Sequence, residues 1–370
     1  MSSLSPLLLS RAPKSLIVRC LSDNVLSVCL NRPKAFNALD MEQCDYLLNL
    51  YSEIHDRAGE GGTVVVMEGA DTGKSTKAFC AGGDVRQIYD QGLTEPQGSL
   101  CRDFFFREYI LNSMISKHSG QVSIWDGIVM GGGVGLSVHG SHRVSTSRTV
   151  FAMPETGIGF FPDVGASAVL PFLDGGWGYY LALTGEAIDG RTARRIGLST
   201  AHCHDFDEAV RDELMGRLKA GHDLQSVIDD IDEGATEAKG AVDDVIEECF
   251  HSKSTLEELL GALEGCKGQE AERIRKVIKA KSPTSVAVAF EQLKRGEALK
   301  GDIDDCLRME YDICQNMIKQ PGGDFYEGVR AALVDKDKNP SWRQFDGQVQ
   351  MYFERDEGNA WNPTFPYKSE

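Results

Sequence analysis

No stretch of this sequence approaches the run of about 18 consecutive apolar residues that a membrane-crossing helix needs. The nearest candidate, residues 123–140, carries Asp126 and His139 and is crowded with glycine. Positive charge is scarce: 39 Lys and Arg stand against 56 Asp and Glu, a formal net charge of −17. That balance disfavours a nucleic-acid backbone as the main partner, and a phosphorylated small ligand would need locally basic ground. Paired cysteines are absent as well. Ten thiols are scattered singly at 20, 29, 44, 80, 101, 203, 249, 266, 306 and 314, with no C-x-x-C pair and no histidine at zinc-finger spacing, a pattern of buried thiols in a reducing compartment and not of a metal site. With 41% hydrophobic and 26% charged residues, collagen-like, coiled-coil and wholly disordered chains are excluded. No internal repeat or long low-complexity linker is visible.

A length of 370 residues corresponds to roughly two to three units at about 150 residues each, or one large core with an appendage. The first 22 residues contain Arg11, Lys14 and Arg19, several serines and no acid, the composition of a mitochondrial transit peptide. A frayed N-terminus fits equally, because strand-like sequence begins by Ser15. Runs at 15–21 and 25–30 flank Ser22-Asp23-Asn24 and read as an opening hairpin. A strand is expected at 63–67, an amphipathic helix over 37–56, a helix around 103–116, a strand at 122–125, a helix from about Gly132 and a strand over 143–151. Strands alternating with helices imply an α/β core. After about Thr200 strands are not evident. Residues 201–250 hold 15 acids and four bases, read as a solvated helical surface, and the spacing of Leu256, Leu259, Leu260 and Leu263 continues the helical pattern.

Three glycine-containing motifs fail on inspection. Gly69 to Ser75 resembles a phosphate-binding loop, but the spacing needs glycine where Glu68 stands, and the residues after it are poor helix formers. Gly135-Leu-Ser137-Val-His139 misses the nucleophile-elbow pattern at its last position, leaving Ser137 as a small packing residue. The glycines at 131–135 lack dinucleotide-binding spacing. What remains is a pair of glycine turns, 81–84 and 130–133, each before an expected helix. Without Cβ, glycine lets a carbonyl approach the backbone, and N–H groups at a helix start point outward unsatisfied. Two converging donors form an oxyanion hole, each worth about 2.7 to 4 kcal/mol in acyl transfer; either turn alone is more often a tight connection. Glu155 and Asp163 lie in the otherwise apolar segment 151–165, stiffened by Pro154 and Pro162. Apolar surroundings raise a carboxyl pKa toward the range of general acid/base work. Asp163 could instead N-cap a short helix over 164–170, and Glu155 could sit at a helix start.

The runs LNRPKAFNALD (30–40), KAFCAGGDVRQIY (77–89), GIVMGGGVGLSVHG (127–140) and FAMPETGIGFFPDVG (151–165) resemble the crotonase, or enoyl-CoA hydratase/isomerase, superfamily. Together with LALTGEAIDGRTARRIGLST (181–200), SPTSVAVAFEQLKRG (282–296) and DKDKNPSWR (335–343), they look like its 3-hydroxyisobutyryl-CoA hydrolase branch. The likeness spans nearly the whole chain. It implies an α/β fold, a crotonase-like spiral of ββα repeats over 15–200 after an N-terminal extension at 1–14, with a mainly helical C-terminal region, 201–370, covering the site. It implies acyl-CoA thioester substrates held by the amides of Gly83 and Gly132. Hydratases of the superfamily carry a glutamate where this sequence has Gly135, so a reaction needing two carboxylates there is disfavoured. Thioester hydrolysis with Glu155 as nucleophile or base, assisted by Asp163, survives.

Glu108 matches a substrate-contacting acid of the hydrolases. Lys34, two positions after Arg32, is the candidate for a CoA phosphate contact. One departure is the segment 119–127, which lacks the family's Lys-Pro pair and brings Trp125 and Asp126 near the expected site. The resemblance implies hydrolysis of 3-hydroxyisobutyryl-CoA in valine breakdown. The alternatives are an enoyl-CoA hydratase or isomerase using Glu155 alone, and a non-catalytic acyl-CoA-binding protein. No cofactor beyond the substrate's CoA, no metal, no nucleic acid and no membrane partner is expected; a homo-oligomer is possible, in the mitochondrial matrix or otherwise the cytoplasm.

Overall fold

A computed structural model describes residues 6–57, 62–95, 98–235, 239–355 and 361. After a short helix, α1 (Pro6–Ser10), the expected hairpin forms from β1 (Leu16–Ser22) and β2 (Val25–Leu30), antiparallel about the Asp23-Asn24 turn. The strand β1 therefore lies inside the 22 residues of transit-peptide composition, and residues 1–5 fall outside the described set. Helix α2 (Met41–Asp56) starts later than expected because Asp40 caps it: its carboxylate accepts from Gln43 N while the Gln43 side chain accepts from Asp40 N, a reciprocal box that fixes the first turn.

The chain then winds. β3 (Val64–Gly69) and β4 (Ala78–Cys80) lead into α3 (Val85–Gly92) and α4 (Ser99–Ser116); β5 (Gln121–Trp125) and β6 (Ile128–Met130) lead into the single-turn α5 (Gly132–Gly135); β7 (His142–Thr146) and β8 (Val150–Ala152) lead into α6 (Ala166–Val169) and α7 (Trp177–Thr184). Each pass places one strand in a six-stranded sheet and the next in a four-stranded sheet. The result is a stack of ββα turns in which β2, β3, β5 and β7 run parallel, as do β4, β6 and β8. A short β9 (Ile188–Asp189) closes the smaller sheet, α8 (Gly190–Arg195) follows, and β10 (Ala201–Cys203) ends the larger.

Two expectations change here. The strand over 143–151 is two strands in different sheets. The Thr149 hydroxyl accepts from Thr146 N at 2.7 Å and donates to Trp125 O at 2.5 Å, turning the chain from one sheet to the other. The region after Thr200 is not strand-free: β10 pairs in parallel with β7, three residues too short to show alternation.

The C-terminal region is helical: α9 (Glu208–Lys219), α10 (Leu224–Asp229), α11 (Ala241–Cys249), α12 (Leu256–Gly265), α13 (Gln269–Lys279), α14 (Pro283–Ala298), α15 (Ile303–Ile318) and α16 (Asp324–Val329). Strand alternation feeds two cores. Val65 and Met67 face the main cluster, while Val66, Val122 and Val144 face a second one roofed by Leu214, Leu218 and Val227 of α9 and α10. The main cluster runs on into α14, α15 and α16, and the fully buried Trp361 donates from Nε1 to Phe106 O of α4. All ten cysteines are free thiols, eight of them buried.

Candidate active site

Both glycine turns emerge where a strand of the small sheet gives way to a helix. After β4, Ala81 N donates to Phe36 O (3.0 Å), Leu39 N to Gly82 O (2.8 Å) and Asp84 N to Leu39 O (2.9 Å). These bonds pin the turn on either side of Gly83. After β6, Gly131 takes φ 46° and ψ −122°, open only to glycine, and Gly132 begins α5. Gly132 lies so close to the first turn that a Cβ on it would stand 3.1 Å from Gly83 N and 2.5 Å from Glu108 Oε1. Among the described residues, neither Gly83 N–H nor Gly132 N–H has a protein acceptor. Two amides without an acceptor among the described residues thus lie on adjoining turns; an acyl oxygen gaining charge needs two such donors.

Three carboxyl groups gather at that point. Glu155 opens a single 3-10 turn after Pro154 and is 6% exposed. Its Oε1 lies 3.2 Å from where a Gly131 Cβ would be, and its Oε2 has no partner among the described residues. Glu108, from α4, is 2% exposed, with Oε1 unpartnered. Asp163 is 5% exposed and accepts from the Tyr109 hydroxyl at 3.0 Å. The alternative of Asp163 as an N-cap does not hold: α6 starts at Ala166, Gly165 occupies the capping position, and no side chain caps it.

Burial and mutual repulsion raise the pKa values of these acids above the usual carboxylate range. Glu108 is pushed well above its usual range by burial and then by the charges of Asp163 and Glu155. Glu155 is raised by burial and by Asp163, while the Lys281 ammonium pulls it back. Asp163 is raised to about 8 by burial and by Glu310 behind it, against the Tyr109 hydrogen bond. Desolvation and like charges are what spread the pKa values of clustered catalytic acids.

Position 135 excludes a further acid. A Cβ on Gly135 would stand 2.7 Å from both Asn112 Nδ2 and Val164 Cβ, so a glutamate cannot enter without moving the α4 contact and the Asp163 loop. The other candidates lie apart from this cluster. Lys34 is exposed in the turn 33–35, next to Phe36, which braces the first glycine turn. Arg32 is spent on Asp84 at 2.8 Å and Asp40 at 3.3 Å. Asp126 is held by Lys77 and Arg148, and Trp125 is buried against Phe151. Sequence reasoning missed Tyr109, Lys281 and Glu310. Glu310 had a signal: it shares an apolar helical face with Leu307, Tyr311 and Cys314, all fully buried, where an acid is out of place.

Comparison with known proteins covers the stretch of chain that holds these residues. Residues 25–348 match the family model described as enoyl-CoA hydratase/isomerase. The chain belongs to that family. It is 43% identical over 330 residues to the mitochondrial 3-hydroxyisobutyryl-CoA hydrolase of Dictyostelium discoideum, covering 86% of this chain and 84% of that protein. It is 36% identical over 349 residues to 3-hydroxyisobutyryl-CoA hydrolase 1 of Arabidopsis thaliana, covering 90% and 89%. Among solved structures, a carnitinyl-CoA dehydratase from Mycobacterium thermoresistibile superposes with a TM-score of 0.78 at 31% identity, over 93% of this chain and 98% of that one. An enoyl-CoA hydratase from Rhodobacter sphaeroides 2.4.1 gives 0.78 at 28% identity, over 94% and 99%. The stacked ββα spiral expected for the family is the fold observed.

Proposed function

We propose that this protein hydrolyses an acyl-CoA thioester, 3-hydroxyisobutyryl-CoA, to 3-hydroxyisobutyrate and CoA. The observation that carries the reading is the closeness of the Gly83 and Gly132 turns, whose amides lack acceptors among the described residues, to the buried Glu155 carboxyl, at a site where position 135 has no room for a second hydratase acid. The names of the relatives that match along most of the chain support the choice of acyl group.

In this mechanism the thioester carbonyl oxygen lies between the two amides, which stabilise the negative charge of the tetrahedral state. Glu155 in its ionised form attacks the carbonyl carbon or takes a proton from an attacking water. The C–S bond breaks and the CoA sulfur leaves with its electron pair; where Glu155 itself has attacked, water then hydrolyses the resulting acyl anhydride and frees the acid and the Glu155 carboxylate. Asp163, raised to about 8 by burial and by Glu310, gives that sulfur a proton. Glu108, buried beside Gly132, is the partner for the substrate's 3-hydroxyl, and Lys34 is the surface contact for a CoA phosphate. The reading needs no cofactor beyond the CoA of the substrate. We place the protein in mitochondria, in the matrix, within valine breakdown.

The test is thiol release from 3-hydroxyisobutyryl-CoA. Glu155→Gln is expected to abolish release of free CoA with thermal unfolding unchanged; full activity in that variant would remove the mechanism. Crotonyl-CoA separates the hydratase reading, since rapid hydration without free thiol would replace hydrolysis as the activity.

A further inference from the structure

One buried acid near the site has no part in the reaction above. Glu310 of α15 is fully buried. Its carboxylate accepts from Gly165 N at 2.6 Å, Ser167 N at 3.0 Å, the Ser167 hydroxyl and Gln292 Nε2 at 3.1 Å. Among the described residues no lysine, arginine or histidine pairs with it. Gln292 of α14 also donates to Pro162 O at 2.6 Å, and His139 Nε2 lies 2.7 Å from Val164 O. The segment they grip, 162–167, contains Asp163 and then Val164 at φ 56°. A β-branched residue is costly to hold in that left-handed region, so the conformation persists only because its surroundings impose it.

A neutral acceptor would satisfy the same amides at a lower desolvation cost than a carboxylate. The charge is therefore the part that loop geometry does not explain. Asp163 is surrounded by Glu108 and Tyr109 of α4, by Glu155, and by Glu310 and Cys314 of α15, with His139 at the neighbouring carbonyl. None of these is a lysine or arginine; Lys281 acts on Glu155 instead. Burial raises Glu310 to about 7 against the hydrogen bonds it accepts, and Glu310 is the leading charge acting on Asp163.

We propose that Glu310 is a positioning residue: its carboxylate anchors the strained turn that aims Asp163 into the site, and it supplies the neighbouring charge that determines whether Asp163 carries a proton. The consequence for rate rests on the hydrolase reading. The charge coupling does not.

Glu310→Gln is expected to lower kcat for thiol release by about tenfold or more with KM little changed. Isotope-edited infrared spectroscopy of the substrate-free enzyme, with the Asp163 carboxylic-acid band assigned by its loss in Asp163→Asn, gives the charge state directly. In Glu310→Gln that band should titrate about one pH unit lower than in the wild type. Should Glu310→Gln fail to fold, Ser167→Ala removes one donor that favours the Glu310 anion, and a smaller downward shift is expected. An unmoved midpoint in the variant that folds, or wild-type kcat and KM in Glu310→Gln, overturns the proposal. Absence of thiol release by the wild-type protein would remove the hydrolase reading alone, leaving the infrared midpoint to decide the role of Glu310.

Discussion

Gly132 is the residue on which the site turns. Any side chain there meets Gly83 N and Glu108 Oε1 within 3.1 Å, crowding the Gly83 amide. Gly132→Ala is expected to lower kcat by about 10² to 10³, the loss typical of one oxyanion-hole donor, with the unfolding temperature nearly unchanged. Wild-type turnover in that variant would mean the acyl oxygen binds elsewhere. At this scale much was legible. Glu155 and Asp163 stand out because an apolar stretch holding two acids is chemically unusual, and the glycine turns because there are two of them, each before an expected helix. The apolar helical face around Glu310 marks it as an unusual acid, but its link to the site was not legible, since it reaches Gly165 from 145 residues away and nothing local relates the two.

At the scale of elements, helices bring the far half of the chain onto the site. Glu108 and Tyr109 share α4, which delivers one acid to Gly132 and one hydroxyl to Asp163. Phe160 stacks on Phe105 and meets Phe325 at a tilt, tying the segment after Glu155 to α4 and α16. α14 approaches the Asp163 loop at Gly296, where a Cβ would stand 2.1 Å from Ser167 O. Gly296→Ala should cost about 1 to 3 kcal/mol by overpacking, measured by urea unfolding, and should slow turnover by displacing the 162–167 segment. Unaltered stability would show that α14 has room to shift. Helices such as α2 were readable from apolar spacing. The single-turn α5 and three-residue β10 were not, because they are shorter than the period that would reveal them.

Across the whole molecule, the buried acids shape the response to pH. Asp163 is held at about 8, above its value in an unfolded chain, so the folded state retains a proton that the unfolded state has lost. That contribution is complete below about 4 and is lost as pH rises toward 8. His118 and His139, lowered to about 4 by burial, act in the opposite sense below their ordinary 6.5. The effect of Asp163 is therefore cleanest above 6.5. Between pH 6.5 and 8 the unfolding temperature of the wild type should fall more steeply than that of Asp163→Asn, as calorimetry would show. Parallel slopes would mean that Asp163 ionises normally in the folded protein.

What the sequence by itself determined is the chemistry of short range: the Asp23-Asn24 turn, the Asp40 cap, the strand alternation that builds two cores, and the two glycine turns with an apolar acidic segment beside them. These follow from groups within a few residues of one another. Tertiary structure alone decided that the two glycine turns meet at Gly83 and Gly132, that position 135 is closed by Asn112 and Val164, and that Glu310 is the leading charge acting on Asp163. Such features depend on distances between chain segments many tens of residues apart, and both steric exclusion and the desolvated interaction of charges are set by those distances.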